Sequence, residues 1–97
     1  MDGERRTRLA ASFAGARKRF LSINHPADYA RLVKEAQLES HLIRIGEEAA
    51  DLYLTLEDQL EAKAEEITDQ KEQQAYRSQI PHMAQEMVLS DIVDVKY

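Results

Sequence analysis

The sequence predicts an all-α protein: a small helical bundle built on a long antiparallel hairpin, at about residues 38–67 and 69–93, with two shorter N-terminal helices packed across it. Three observations carry that expectation. Glycine (3), proline (2) and aromatic residues (6%) are scarce among the 97 residues, and Ala, Leu, Glu, Gln, Lys and Arg dominate. Apolar residues recur at steps of three and four along most of the chain. The strongest helix-stopping signals, Asn24-His25-Pro26 and Thr68-Asp69, fall between those repeats. A chain of this length forms one domain, residues 1–97, and cannot enclose a substrate cleft between two lobes.

The first helix spans about residues 4–23, because Leu9, Phe13, Ala16 and Phe20 share one face and Ile23 lies close to it. It ends at Asn24-His25, since the residue before proline is pushed out of the α region, and Pro26 suits the first turn of a second helix. Tyr29, Leu32, Val33 and Ala36 give that short helix its apolar face, and a break is expected near Ala36 to Leu38. The third helix carries the stripe Leu38, Leu42, Ile45, Ala49, Leu52, Leu56, Leu60, Ala64 and Ile67, about eight turns or roughly 45 Å. A second row of Ile43, Ala50 and Leu54 places this helix centrally, with Gly46 its one residue of poor helix propensity.

In the fourth helix Tyr76, Ile80, Met83 and Met87 resume the repeat after a capping residue at Thr68-Asp69. Pro81 removes one backbone hydrogen bond there and is expected to kink the helix or divide it into 69–79 and 81–93. The tail Val88 to Val95 spreads apolar residues around the whole helical wheel, so it is either wedged between other elements or forms an oligomer contact.

The chemistry that the chain lacks narrows its function. With no cysteine there is no disulfide, thiolate zinc site or thiol nucleophile. His25, His41 and His82 stand in no metal-binding spacing, and a structural or solvated role is expected for each. Neighbouring acids such as Glu47-Glu48, Glu57-Asp58 and Glu65-Glu66 point about 100° apart on a helix and so do not share a proton. No glycine-rich phosphate loop or serine-histidine arrangement occurs. Catalysis, cofactor, metal and small-molecule substrate are therefore not expected. No signal peptide or membrane span is evident, and a cytoplasmic protein that binds no membrane is expected.

Charge is divided along the chain. Residues 1–34 hold eight Lys/Arg against three acids, and residues 35–97 hold five against fifteen, so a net of +5 is followed by a net of −10. Arg5, Arg8, Arg17, Lys18 and Arg19 are candidate nucleic-acid contacts. They are scattered around their helix: Lys18 lies opposite the apolar face, Arg8 and Arg19 share one flank, and Arg17 lies on the other. Glu57, Asp58, Glu61 and Glu65 are candidates for a protein-partner surface, since a row of carboxylates imitates a phosphate backbone. The bland alternative is that oppositely charged helices neutralise one another internally.

Gly15-Ala16-Arg17-Lys18-Arg19-Phe20-Leu21, then Pro26, Tyr29, Leu32-Val33, then Leu38, His41-Leu42, Ile45 and Ala49 resemble the transposon-encoded TnpV family. There a G-x-R-x-R-[YF]-L stretch leads to a proline, then Y-x2-L-[LV], then a leucine-rich helix. The closing Ala84 to Val93 is similar to that family's terminal stretch, and the likeness covers about residues 13–93. Two departures stand out: Glu35-Ala36-Gln37 replaces a small, glycine-containing turn, and no tryptophan occurs near Gln73. The resemblance implies an accessory protein of a mobile element, without established enzymatic activity and sometimes supposed to act with recombination machinery. Mobile elements also carry small acidic inhibitors of host defence, anti-CRISPR proteins among them.

The expected function is thus a non-catalytic interaction protein that binds a nucleic-acid-handling protein through its acidic helices. The alternatives are a DNA-associated accessory factor of transposition or excision that uses the basic first helix, and a dimeric structural module, because a two-sided long helix finds few partners in one chain.

Overall fold

The computed structural model describes residues 2–95. It contains helices α1 (Asp2–Asn24), α2 (Pro26–Lys34), α3 (Leu38–Glu65) and α4 (Gln70–Val88), and α4 runs directly into a π-helical turn, Leu89–Val93. No strand occurs among the described residues. The expected all-α architecture is observed, with α3 and α4 as an antiparallel hairpin. The body is flattened, 55 × 28 × 14 Å, because α1, α3 and α4 lie side by side with α3 in the middle.

The helix α1 is no minor crosspiece. It runs antiparallel along α3, with Arg5 beside Glu57 at one end and Arg17 beside His41 at the other. Small residues let the two backbones approach: a Cβ on Gly46 would lie 2.4 Å from the Ala10 carbonyl oxygen and 3.2 Å from the Ala14 Cβ. No side chain fits in that gap, which explains a glycine within a 28-residue helix where its low propensity is a cost.

The core joins Phe13 of α1 to Ala49, Tyr53 and Leu56 of α3, Ala84 and Val88 of α4, and Val93 of the π-helical turn. Phe13 and Tyr53 meet at 6.0 Å between ring centroids in a tilted pair. Four large apolar residues expected in the core are exposed instead, Ile23 (74%), Val33, Ile43 and Met87, and so is the smaller Ala36. On α1 the buried stripe is Phe13, Arg17 and Leu21, rotated from the expected one because Arg17 occupies an interior place.

The break between α2 and α3 falls at Glu35 to Gln37. Ala36 there has φ of 57°, the left-handed conformation in which the Ala36 amide donates to the Val33 carbonyl and the Gln37 amide to the Leu32 carbonyl, at 3.1 and 2.8 Å. These are the two bonds of a Schellman helix end, usually made by glycine. At the next turn, Asp69 caps α4 by accepting from the Lys71 amide at 2.9 Å, and the Gln73 side chain donates to the Ala64 carbonyl at 3.0 Å, closing the end of α3.

The expected division at Pro81 does not occur. Helix α4 is unbroken through this exposed residue, and the carbonyl that loses its partner belongs to Arg77, itself exposed to water. The disruption comes later, in the π-helical turn, where the Asp94 amide reaches back five residues to the Leu89 carbonyl at 2.7 Å. Val88 and Val93 would lie about 140° apart on an α-helix. The wider π turn brings both onto the core face, where neither is exposed. The apolar tail is thus wedged against α1 and α3 within the molecule.

Candidate functional site

Arg17 has the least expected position of the candidate residues. It is 2% exposed, and its Nη1 donates to the Val93 and Val95 carbonyls at 2.8 and 2.6 Å. Its Nε donates to His41 Nε2 at 3.3 Å, and its guanidinium lies 5.6 Å from the Phe20 ring centre. The side chain therefore fastens α1 to the end of the π-helical turn, where helical carbonyls lack partners. As a nucleic-acid contact Arg17 is withdrawn from the surface: no phosphate reaches it in this fold.

His41 lies beneath Arg17 and is itself buried, with Arg44 Nη2 3.4 Å from its Nδ1. Burial first, then the cations Arg17 and Arg44, hold its imidazole below the ordinary value of 6.5, and Glu48 opposes them. The neutral ring accepts from Arg17 through Nε2. Of the other histidines, His25 packs on Phe20 at 5.3 Å between ring centres, and exposed His82 faces Glu86 at 3.3 Å.

Two of the five remaining basic residues of α1, Arg5 and Arg6, are held against α3. Arg5 binds Glu57 through both terminal guanidinium nitrogens, with Nη1 to Oε1 at 2.7 Å. Burial and then Glu57 raise the Tyr53 hydroxyl above its ordinary range. Arg6 Nε binds Asp51 at 2.6 Å, which lowers the Asp51 carboxyl, and Arg6 Nη2 reaches Glu47 at 3.7 Å. Arg8, Lys18 and Arg19 are exposed and form no ion pair among the described residues.

The four candidate acids also separate. Glu57 is taken by Arg5, and Glu61 is paired with Arg77 Nε at 2.7 Å. Asp58 and Glu65 face solvent without an ion-pair partner among the described residues. The bland expectation of internal neutralisation thus accounts for part of the charge division. Periodicity alone did not reveal these pairings, because they depend on the registers of α1 and of α4 on α3.

Among the described residues no three His, Asp or Glu side chains are gathered as a metal site, and no helix is long and apolar enough to cross a membrane. A polar hollow of about 290 Å³ lies between α2 and α3 and is lined by Leu32, Gln37, Ser40, His41 and Arg44.

The geometry is that of a small all-helical protein with an internal arginine clamp and charged outer faces. Residues 1–93 match the model of the family described as transposon-encoded protein TnpV, and the chain belongs to that family. No curated protein and no solved structure matches it.

Proposed function

We propose that this transposon-encoded protein is a non-catalytic interaction protein, and that its partner is a nucleic-acid-handling protein with a basic surface. The observation that carries this reading is the unequal use of charge inside the fold. Arg5, Arg6 and Arg77 are held by acids of α3, and Arg17 is buried, whereas Asp58, Glu65, Glu66 and Glu72 at the α3–α4 end face solvent against only Lys63 and Lys71. Such an end attracts a cationic groove from a distance and speeds encounter with it. Blocking a nucleic-acid channel of a host-defence complex, in the manner of an anti-CRISPR protein, and docking on a recombination enzyme both use that chemistry.

A second reading is favoured by Arg8, Lys18 and Arg19. Arg8 and Arg19 are eleven residues apart and so share one flank of α1, about 16 Å from each other, a spacing able to follow a duplex backbone. In this reading the protein is a DNA-associated accessory factor of transposition or excision.

The test compares two surface variants that avoid the buried clamp. Asp58→Lys with Glu65→Lys should slow association with a partner captured from cells carrying the element by about tenfold at low salt, and less at physiological salt. Arg8→Glu, Lys18→Glu and Arg19→Glu together should leave that rate unchanged. Loss of duplex DNA binding in the triple variant, with the lysine variant behaving as wild type, reverses the order of the two readings.

A further inference from the structure

We propose that the hollow between the end of α2 and the first turns of α3 binds a small phosphate-bearing anion. At about 290 Å³ it stands at the lower end of small-ligand sites, large enough for a phosphate carrying a compact substituent. Among the described residues its lining holds no carboxylate and three donors, the Arg44 guanidinium, the Ser40 hydroxyl and the Gln37 amide, with the His41 ring beside them. Behind that ring lies the Arg17 guanidinium, 3.3 Å from Nε2. A planar guanidinium beside a hydroxyl suits a tetrahedral oxyanion, which takes two N–H bonds from the first and one O–H bond from the second.

The donors are available without disturbing the core. Arg44 pairs with Glu48 at 3.5 Å, but the two side chains are 61% and 53% exposed, and such i,i+4 surface pairs exchange readily for a stronger acceptor. Ser40 lines the hollow, and its Oγ donates to the Gln37 carbonyl at 3.1 Å, an exposed bond that a stronger acceptor can replace. The Gln37 side chain makes no capping bond to α3. Glu48, the ion-pair partner of Arg44, carries the opposing charge and gives the site a testable sign. Since Asp58 and Glu65 lie more than ten residues further along α3, this site and the acidic surface fail independently.

Inorganic phosphate is titrated into the full chain at fixed pH, with sodium chloride at matched ionic strength as the control, and the His41 ring and Arg44 Nε resonances are followed by NMR. Phosphate should shift both saturably, and chloride should not. Arg44→Gln should weaken the phosphate response at least tenfold, and Glu48→Gln should strengthen it about threefold to tenfold, because one removes the main donor and the other the opposing charge. A nucleoside monophosphate competing at lower concentration than inorganic phosphate identifies a free phosphomonoester as the natural class. Equal shifts with chloride, an unaffected Arg44→Gln variant, or competition by a short oligonucleotide alone would overturn the proposal.

Discussion

Along residues 38–57, α3 has α1 on one side and the end of α4 with its π-helical turn on the other, whereas beyond Glu61 its neighbour among the described residues is α4. The flanked part contains the close Gly46–Ala10 approach, the Phe13–Tyr53 ring pair and the buried Arg17. The projecting part buries Ala64 and Ile80 and leaves Leu60, Ile67 and Tyr76 half-covered. One continuous helix thus passes from an environment of three neighbours to one of a single neighbour. The rigid part holds the chain together, and the projecting part offers accessible side chains with little structural duty. Surface readings of function belong at that second end, and substitutions should separate the two.

The largest loss is expected at Arg17. Arg17→Met keeps much of the side-chain volume but leaves the buried Val93 carbonyl without this donor, at about 1–3 kcal/mol, and removes the part-buried bond to the Val95 carbonyl and the contact with Phe20 as well. A fall of about 3 kcal/mol or more in urea unfolding checks this, while Lys18→Met and Arg19→Met, on the exposed side, should stay within about 0.5 kcal/mol. Stability at this end also depends on pH. Because folding lowers the His41 pKa from 6.5, the unfolded chain takes up its proton at higher pH than the folded chain. Stability is therefore full above about pH 6.5 and is lost as pH falls from there toward the folded value. His41→Gln should remove that part of the dependence in melting curves recorded from pH 7.5 to 5.

Gly46→Ala comes next. Alanine improves helix propensity by about 1 kcal/mol, yet its Cβ would overlap the Ala10 carbonyl oxygen, and overpacking of this kind costs about 1–3 kcal/mol or more. A contact with backbone cannot be relieved by a rotamer change, so a net loss of about 2 kcal/mol is expected by thermal denaturation. An unchanged or raised Tm would show that α1 can move off α3, which removes the distinction between the two ends.

A gain is expected at Ala36→Gly. Left-handed alanine carries about 1 kcal/mol of strain that glycine lacks, and Ala36 is exposed, so nothing is lost by removing its methyl group. The offsetting term is the greater freedom of glycine in the unfolded chain, which brings the expected gain to about 0.5 kcal/mol. No change or a loss would indicate a Schellman turn already relaxed by other contacts.

The sequence made the helices legible and the packing between them only partly so. Steps of three and four locate every α-helix to within a few residues, since burial of Leu, Ile and Ala dictates that period. Arg17 was missed because its charge excludes it from an apolar stripe, although Phe13, Arg17 and Leu21 fall at even steps of four. Gly46 was visible as a lone weak helix former. Its meaning required Ala10 and Ala14 to be placed opposite it, a matter of register between helices that one-helix periodicity does not contain. The expected burial of Ile43 and Met87 failed for the same reason: an apolar position is covered only where a neighbouring helix reaches it. Among the candidate residues, Arg5 and Glu57 were both named from charge alone, but their pairing depends on the same register.

The smallest effect should come from Arg77→Ala, and its value lies in where the effect appears. Arg77 binds Glu61 at the projecting end, both side chains being more than 40% exposed, and an exposed pair contributes about 0–1 kcal/mol. Global stability should change by less than about 0.5 kcal/mol. Hydrogen exchange should nonetheless quicken for amides of residues 61–65 and 73–80, because this end has few buried contacts and opens locally before the rest. Amides of residues 45–56 should keep their protection, as α1 covers them. If exchange quickens equally in both stretches, the molecule opens as one unit, and the projecting end has no mobility of its own to lend to a partner.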